Sequence, residues 1–131
     1  MNISSNKVNV PLDAGSLFDF LEDMQNYKQL MPGQITNWEA TRDHCRFTIP
    51  GMTDIGMKIM QSTRNSLIHI HSDGKVPFEF DLHFKVKQVN DQQEVFIEFD
   101  GALSAMLAMM AKRPLQNLID HMIDQLRNQL A

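Results

Sequence analysis

The sequence predicts an α+β fold in which an antiparallel sheet of about six to seven strands wraps around a long C-terminal helix. One observation behind this prediction is the regular alternation of apolar and polar side chains in residues 76–89, which is typical of a strand with one dry face. Since such a sheet needs a second layer over its apolar face, the helix is expected to pack there. The other observation is an apolar stripe at steps of three and four residues, formed by Leu103, Met106, Leu107, Met110, Pro114, Leu118, Met122, Leu126 and Leu130.

Two short helices are predicted between the first strand and the rest of the sheet. The first strand is expected in residues 5–11, and Asp13 is a suitable N-cap for a helix over 14–24. A second short helix is expected in residues 26–33, where a Pro-Gly pair ends it.

The middle of the chain is predicted to form consecutive antiparallel strands. Pro50 and Gly51 have the chemistry of a type II turn. Residues 72–74 are expected to be a three-residue hairpin loop, with Gly74 in the left-handed conformation. The strands themselves are expected in residues 34–41, 44–49, 53–62, 66–72, 76–89 and 94–100.

Composition narrows the class of protein. The 131 residues are expected to form one domain, residues 1–131. A net charge of −4 without a cluster of basic residues argues against nucleic-acid binding. The chain has a single cysteine, no signal-peptide pattern and no apolar run of membrane-spanning length, so we expect a cytoplasmic protein that is not integral to a membrane.

Three stretches carry a resemblance to a known superfamily: LFDFLEDMQNYKQLMP (17–32), PFEF (77–80) and MLAMMAKRPLQNLIDHMIDQL (106–126). Together with the order of elements, they make the whole chain resemble the helix-grip proteins of the SRPBCC superfamily. That superfamily includes START lipid-transfer domains, the birch-pollen-allergen family and bacterial polyketide cyclase/dehydrase-like proteins. The first stretch is also similar to the coenzyme Q-binding branch, where an aspartate and a tyrosine precede a proline at the cavity mouth; the matching residues are Asp23, Tyr27 and Pro32.

The resemblance implies that a small apolar molecule is held between the sheet and the C-terminal helix. We therefore expect a non-catalytic carrier or sensor of a lipid, quinone or polyketide-like molecule, with no cofactor. Polar groups near Tyr27 are expected to orient the ligand. The expected ligand-binding residues are Tyr27, Met31, Trp38, Phe47, Met57, Ile59, Ile68, Ile70, Phe78, Phe80, Leu82, Ile97, Met106, Met110 and Met122.

Two other functions stay open. A cyclase- or hydratase-like enzyme would need polar groups inside the cavity, and the inward candidates are few: Ser66, Thr48, Tyr27 and Asn37. A protein-interaction module, including a homodimer, could use the 102–111 segment, which is apolar nearly all round. Methionine, of which the chain has 10, adapts well to varied apolar partners.

His44 and Cys45 invite a base–nucleophile interpretation, but the spacing argues against it. Adjacent side chains of a strand point to opposite faces, so the imidazole and the thiol diverge. We interpret Cys45 as a small core residue.

His69 and His71 are two residues apart on a strand and share a face, a spacing that zinc and iron sites use. A metal site also needs a third and usually a fourth ligand, and the strand register decides what is available. With a three-residue loop Ile68 lies opposite Phe78, and the histidines point to solvent near Glu79 and Asp81. With a two-residue loop His69 would lie opposite Phe78, inside the cavity.

We prefer the first register because it keeps apolar side chains together, and we expect no functional metal. On the same reasoning Glu79, Asp81 and His83, which could form an acid–base set, are interpreted as the solvated face of their strand.

Pro114 interrupts the predicted long helix. Its missing amide leaves the carbonyl of Met110 without its usual donor and should bend the helix there. Our hypothesis is that this bend lets the Met106–Met110 turn move as a gate, so that Pro114→Ala changes ligand exchange more than stability.

Overall fold

The computed structural model describes residues 1–52 and 54–131 of the chain. Thr53, predicted to begin a strand, lies outside the described residues. The elements are β1 (Asn2–Ser4), β2 (Val8–Val10), α1 (Ala14–Leu21), a 3-10 helix (Met24–Leu30), β3 (Thr36–Ala40), β4 (His44–Thr48), β5 (Asp54–Thr63), β6 (Leu67–Ser72), β7 (Phe80–Val89), β8 (Gln92–Gly101) and α2 (Ala105–Gln129).

The strands form a single antiparallel sheet in the order β1-β8-β7-β6-β5-β4-β3, with β2 also paired to β8. Helix α2 packs against the 3-10 helix and against β1, β2 and β8. The predicted α+β architecture, an antiparallel sheet with a long C-terminal helix, is therefore confirmed.

The N-terminal strand differs from its prediction. The chain forms two short strands on β8 instead of one strand over residues 5–11. Ser5 lies between them: its amide donates to the carbonyl of Ile97 at 2.8 Å, and its hydroxyl accepts from the amide of Ile97 at 2.8 Å. The side chain therefore substitutes for a backbone partner where the strand is interrupted.

Local turn and cap chemistry agree with the sequence. The Asp13 carboxylate accepts from the amide of Ser16 at 3.0 Å and caps α1. Gly51 has a φ of +80°, and the amide of Met52 donates to the carbonyl of Ile49 at 3.0 Å, as a type II turn requires.

The connection between β6 and β7 is longer than predicted. Ile68 lies opposite Phe84 and His71 opposite Asp81, so residues 73–79 form the loop and neither of the two predicted registers occurs. Gly74 does adopt a positive φ, +70°. The guanidinium of Arg46 stabilises the longer path, because it donates to the carbonyl of Asp73 at 3.2 Å and also to that of Lys75.

The faces of β6 and β7 are nevertheless as expected. On one side Ile68 and Ile70 of β6 and Phe80, Leu82, Phe84 and Val86 of β7 are buried. On the other side the histidines of both strands are partly exposed. Relative to the preferred register, in which Ile68 pairs with Phe78, the observed pairing of Ile68 with Phe84 is shifted by an even number of residues. Each side chain therefore points to the face that was predicted for it.

Helix α2 is continuous through Pro114, but the predicted apolar stripe does not match its buried face. Met106 and Met110 are 76% and 73% exposed, so this part of the prediction is wrong. The side-chain amide of Gln116 donates to the carbonyl of Ser4 (2.8 Å), and the backbone amide of Asn6 donates to the carboxylate of Asp120 (3.2 Å). These bonds hold the helix in a rotation other than the predicted one. The side chains buried beneath it are Ala111, Leu115, Ile119, Met122, Ile123 and Leu126.

Within the described residues, no helix has both the length and the apolarity that crossing a membrane requires.

Candidate functional site

A small internal cavity lies between the sheet and helix α2. Its volume is about 20 Å³, which is room for one water molecule and not for a ligand. The described side chains that line it are all apolar: Phe47, Ile49, Ile55, Met57, Phe78, Phe80, Leu82, Phe99, Leu115, Leu118, Ile119 and Met122.

Two open grooves flank this cavity on either side of Pro114. The first, here called the methionine groove, has a volume of about 330 Å³ and lies between the first turns of α2 and two loops of the sheet. It is lined by Pro50, Gly51, Met52, Pro77, Phe78, Leu107, Met110, Ala111 and Pro114.

The second, here called the histidine groove, has a volume of about 370 Å³ and a more polar wall. It is lined by Pro32, Gln34, Ile35, Ile49, Pro50, Pro114, Asn117, Leu118 and His121.

The three spaces share walls. Phe78 lines both the methionine groove and the internal cavity, while Ile49 and Leu118 line both the histidine groove and the cavity. Pro50 and Pro114 border both grooves. A movement of the Phe78 or Leu118 side chain would therefore join a groove to the interior.

The structure brings only part of the predicted ligand-binding set together. Ile68, Ile70 and Ile97 are fully buried in the core away from the cavity wall, and Met106 lines neither groove. Met31, Trp38 and Ile59 are partly buried at the edge of the core, and Met110 lies in the methionine groove. The predicted residues that do line the internal cavity are Phe47, Met57, Phe78, Phe80, Leu82 and Met122.

Sequence reasoning missed the two prolines of the loops and the buried helix residues. The sequence predicts Pro50 in a turn and Pro77 in a strand, whereas in the structure both proline rings are apolar walls of the methionine groove. Up to Leu118 the predicted stripe runs one residue away from the buried face of α2, so it omits Leu115 and Ile119.

Tyr27 is a core residue in the structure. It is 0% exposed, its ring meets Phe84 edge to face with centroids 5.7 Å apart, and its hydroxyl donates to the carbonyl of Leu21 at 2.7 Å. Burial raises the pKa of the Tyr27 hydroxyl well above its ordinary value, so it stays a protonated donor. The hydroxyl is hydrogen-bonded within the fold, to the last residue of α1. Tyr27 is not among the described residues that line the internal cavity or the two grooves.

We therefore expect Tyr27→Phe to lower stability without affecting binding of an apolar probe. Removing the hydroxyl leaves the buried carbonyl of Leu21 without this donor, which costs about 1–2 kcal/mol in the free energy of unfolding. Urea unfolding measures the loss. If the variant were as stable as the parent chain but bound the probe less tightly, Tyr27 would be the orienting group that the sequence suggested.

The other predicted inward polar groups lie elsewhere. Ser66 and Asn37 are exposed, and Thr48 donates its hydroxyl hydrogen to Asp54 at 2.7 Å outside the cavity. Among the described residues, none of the three lines the internal cavity.

Cys45 is a buried core residue whose neighbour points away from it. His44 is exposed, and its ring nitrogen Nδ1 lies 2.9 Å from the Thr41 hydroxyl. Burial raises the pKa of the Cys45 thiol to about 12, so the nucleophilic thiolate is scarce at neutral pH.

The outer face of the sheet carries a cluster of histidines around one carboxylate. Asp81 Oδ1 lies 2.7 Å from His69 Nε2 and 2.8 Å from His71 Nδ1, and the rings of His69 and His83 stack with centroids 4.5 Å apart. Partial burial pushes the pKa of Asp81 upward, but the hydrogen bonds from the two histidines outweigh it and the pKa is lowered overall. Burial and the neighbouring His69 lower the pKa of His83.

No protein-family model matches the sequence, and no curated protein matches it significantly. Solved structures match its fold along nearly the whole chain. A START superfamily protein from Mycobacterium smegmatis superposes with a TM-score of 0.69 at 16% identity, covering 98% of this chain and 96% of that one.

Two further structures show the same architecture. A truncated norcoclaurine synthase from Thalictrum flavum matches with a TM-score of 0.72 at 12% identity, over 98% of this chain and 92% of its own. An Aha1 dimer from Colwellia psychrerythraea matches with a TM-score of 0.66 at 13% identity, over 99% and 96%. The chain therefore shares the fold of these three proteins, the helix-grip fold that the resemblance predicted.

Proposed function

We propose that this protein binds a small apolar molecule without transforming it, and that the methionine groove is where the ligand enters. The observation that carries the proposal is the position of this apolar groove. It lies between α2 and the sheet, and Phe78 alone of its lining residues also forms a wall of the internal cavity. Concave, largely apolar spaces of this size are typical of small-molecule sites.

The internal cavity is only about 20 Å³, so side chains in its walls must move when a ligand binds there. Its walls suit such adaptation: Met57 and Met122 are unbranched and fill irregular shapes in more than one conformation. A ligand that buries 200 Å² of apolar surface would gain about 5 kcal/mol before ordering costs, which is less than the roughly 8 kcal/mol of micromolar binding. A micromolar ligand therefore has to bury more than about 330 Å² of apolar surface.

The chemistry of the lining favours a carrier or sensor over an enzyme. General acid–base catalysis needs an ionisable group within reach of the substrate, and in the part of the chain that the structure describes the internal cavity has only apolar walls. Of the described residues that line the two grooves, His121 in the histidine groove is the one with an ionisable side chain.

The test compares two neighbouring methionines of similar exposure. Met110 lines the methionine groove, whereas Met109, which is 85% exposed, does not. We expect Met110→Ser to weaken binding of the apolar probe 1-anilinonaphthalene-8-sulfonate about fivefold, equivalent to about 1 kcal/mol, and Met109→Ser to leave the affinity unchanged. Fluorescence titration gives the affinities.

Mass spectrometry of an extract of the denatured protein would show whether a molecule copurifies with it. Equal probe binding by the two variants, together with no thermal shift from a fatty acid or a quinone, would rule the site out.

A second candidate function is self-association through the start of α2. Met106, Met109 and Met110 are 73–85% exposed on adjacent turns, which is unusual for large apolar side chains. In this case Met109→Ser and Met110→Ser would both shift a concentration-dependent dimer toward monomer in light scattering. The same two variants thus separate the two functions.

A further inference from the structure

We propose that His69, His71 and Asp81 form a binding site for a divalent transition metal, with zinc as the favoured ion. The three side chains lie on the outer face of the sheet, on neighbouring strands β6 and β7. One ligand atom from each lies within 4.8 Å of the other two. The site is independent of the methionine groove, because it lies on the opposite face of the sheet.

Strand geometry places these ligands together. His69 and His71 are two residues apart on β6 and therefore share a face, and Asp81 lies directly opposite His71 on β7. The sequence predicts the two histidines on one face near Glu79 and Asp81, and the register set by the seven-residue loop places Asp81 within ligand distance of both. Two imidazoles and a carboxylate are a donor set that zinc uses in proteins.

The distances are close to those of a tetrahedral site. Ligand atoms about 2.0–2.1 Å from zinc stand about 3.3 Å apart, and here the two nitrogens lie 2.7 Å and 2.8 Å from the same carboxylate oxygen. The ion would fit if each histidine nitrogen moved about half an ångström away from the carboxylate oxygen. In the metal-free protein each of these nitrogens donates its hydrogen to Asp81, and on metal binding the hydrogen moves to the other ring nitrogen.

The surroundings hold the ligands and favour a cation. The ring of His83 stacks on that of His69 at an interplanar angle of 8°, which restricts the rotation of the His69 ligand. Asp81 also lies opposite Asp100 on β8, and like charges directly opposite each other in a sheet repel. A bound divalent ion would relieve that repulsion.

The nearby cations do not occupy the site. The ammonium of Lys58, opposite His71 on β5, is 3.9 Å from Asp73, and that of Lys85 is 2.9 Å from Glu98. Three protein ligands leave a fourth position to water, so the proposed site is an open one.

Titration of tag-free, EDTA-treated protein with Zn²⁺ in a calorimeter tests the proposal. We expect one ion per chain, and a tetrahedral visible spectrum when Co²⁺ replaces zinc. His71→Ala and the isosteric Asp81→Asn should each weaken zinc binding at least about tenfold. His44→Ala, which removes an exposed histidine outside the cluster, should bind zinc as the parent chain does.

Thermal unfolding with and without zinc distinguishes a folded variant that has lost the metal site from a variant that does not fold. Zinc should raise the melting temperature of the parent chain and of His44→Ala but not of His71→Ala, because only a native-state ligand stabilises the fold. Binding of one ion with unchanged affinity by His71→Ala, or no binding to the parent chain at millimolar zinc, would overturn the proposal.

Discussion

Replacing Gly56 with alanine is expected to lower the free energy of unfolding by about 3 kcal/mol, the upper part of the usual range for overpacking a core. Gly56 is buried in β5, where its carbonyl accepts from the amide of Asp73 at 2.8 Å. A methyl group there would overlap both the carbonyl oxygen of Asp73 and the guanidinium of Arg46. The backbone oxygen cannot move without breaking the start of the 73–79 loop.

The damage should extend to the methionine groove, because that loop carries two of its walls, Pro77 and Phe78. We expect weaker binding of the apolar probe as well as lower stability. Gly33→Ala is the matched control, since a methyl group at Gly33 meets no atom within 4 Å and the variant should unfold like the parent chain. Urea unfolding of both variants decides the matter, and equal stability of Gly56→Ala and Gly33→Ala would refute the account of the loop.

Pro114→Ala is expected to slow probe exchange about tenfold, which corresponds to about 1.4 kcal/mol in the barrier. Alanine restores a donor to the carbonyl of Met110 and makes the preceding turn of α2 more rigid. That turn includes Leu107 and Met110, two walls of the methionine groove. The change in stability should stay near the 0.5–1.5 kcal/mol of one net hydrogen bond, because Ala111 and Leu115 are buried on either side and hold the helix in place.

Pro50→Ala is the control for this effect. Pro50 borders the same two grooves as Pro114 but lies in the turn before β5, so its removal alters the groove wall without changing the helix. Stopped-flow displacement of 1-anilinonaphthalene-8-sulfonate by decanoic acid measures the exchange rate. If Pro114→Ala exchanged at the rate of the parent chain, or no more slowly than Pro50→Ala, the gate hypothesis would fail.

Most of the fold could be predicted because it depends on local patterns. The alternation through β7 and the capping carboxylate of Asp13 each act within a few residues, and each appears in the structure as expected. The Pro50-Gly51 turn is of the same kind, since a positive φ at Gly51 needs no distant partner.

The candidate site was harder to predict because its residues meet across elements. Periodicity shows which residues of α2 share a face, but the rotation of the helix depends on contacts such as those of Gln116 with Ser4 and of Asp120 with Asn6. The sequence therefore placed Met106 and Met110 inward, whereas the packed helix exposes both. Tyr27 shows the same limit: its partner is the Leu21 carbonyl of a neighbouring helix, not a ligand.

By itself the sequence determined the order of the elements, the dry and wet faces of the strands and the resemblance to helix-grip proteins, because these follow from short-range periodicity and turn chemistry. Only the tertiary structure decided how long the β6–β7 loop is, which side of α2 is buried, how little space remains inside and that Asp81 joins His69 and His71. The physical reason is that register and helix rotation depend on contacts such as those of Arg46 with the 73–79 loop, between residues far apart in the chain.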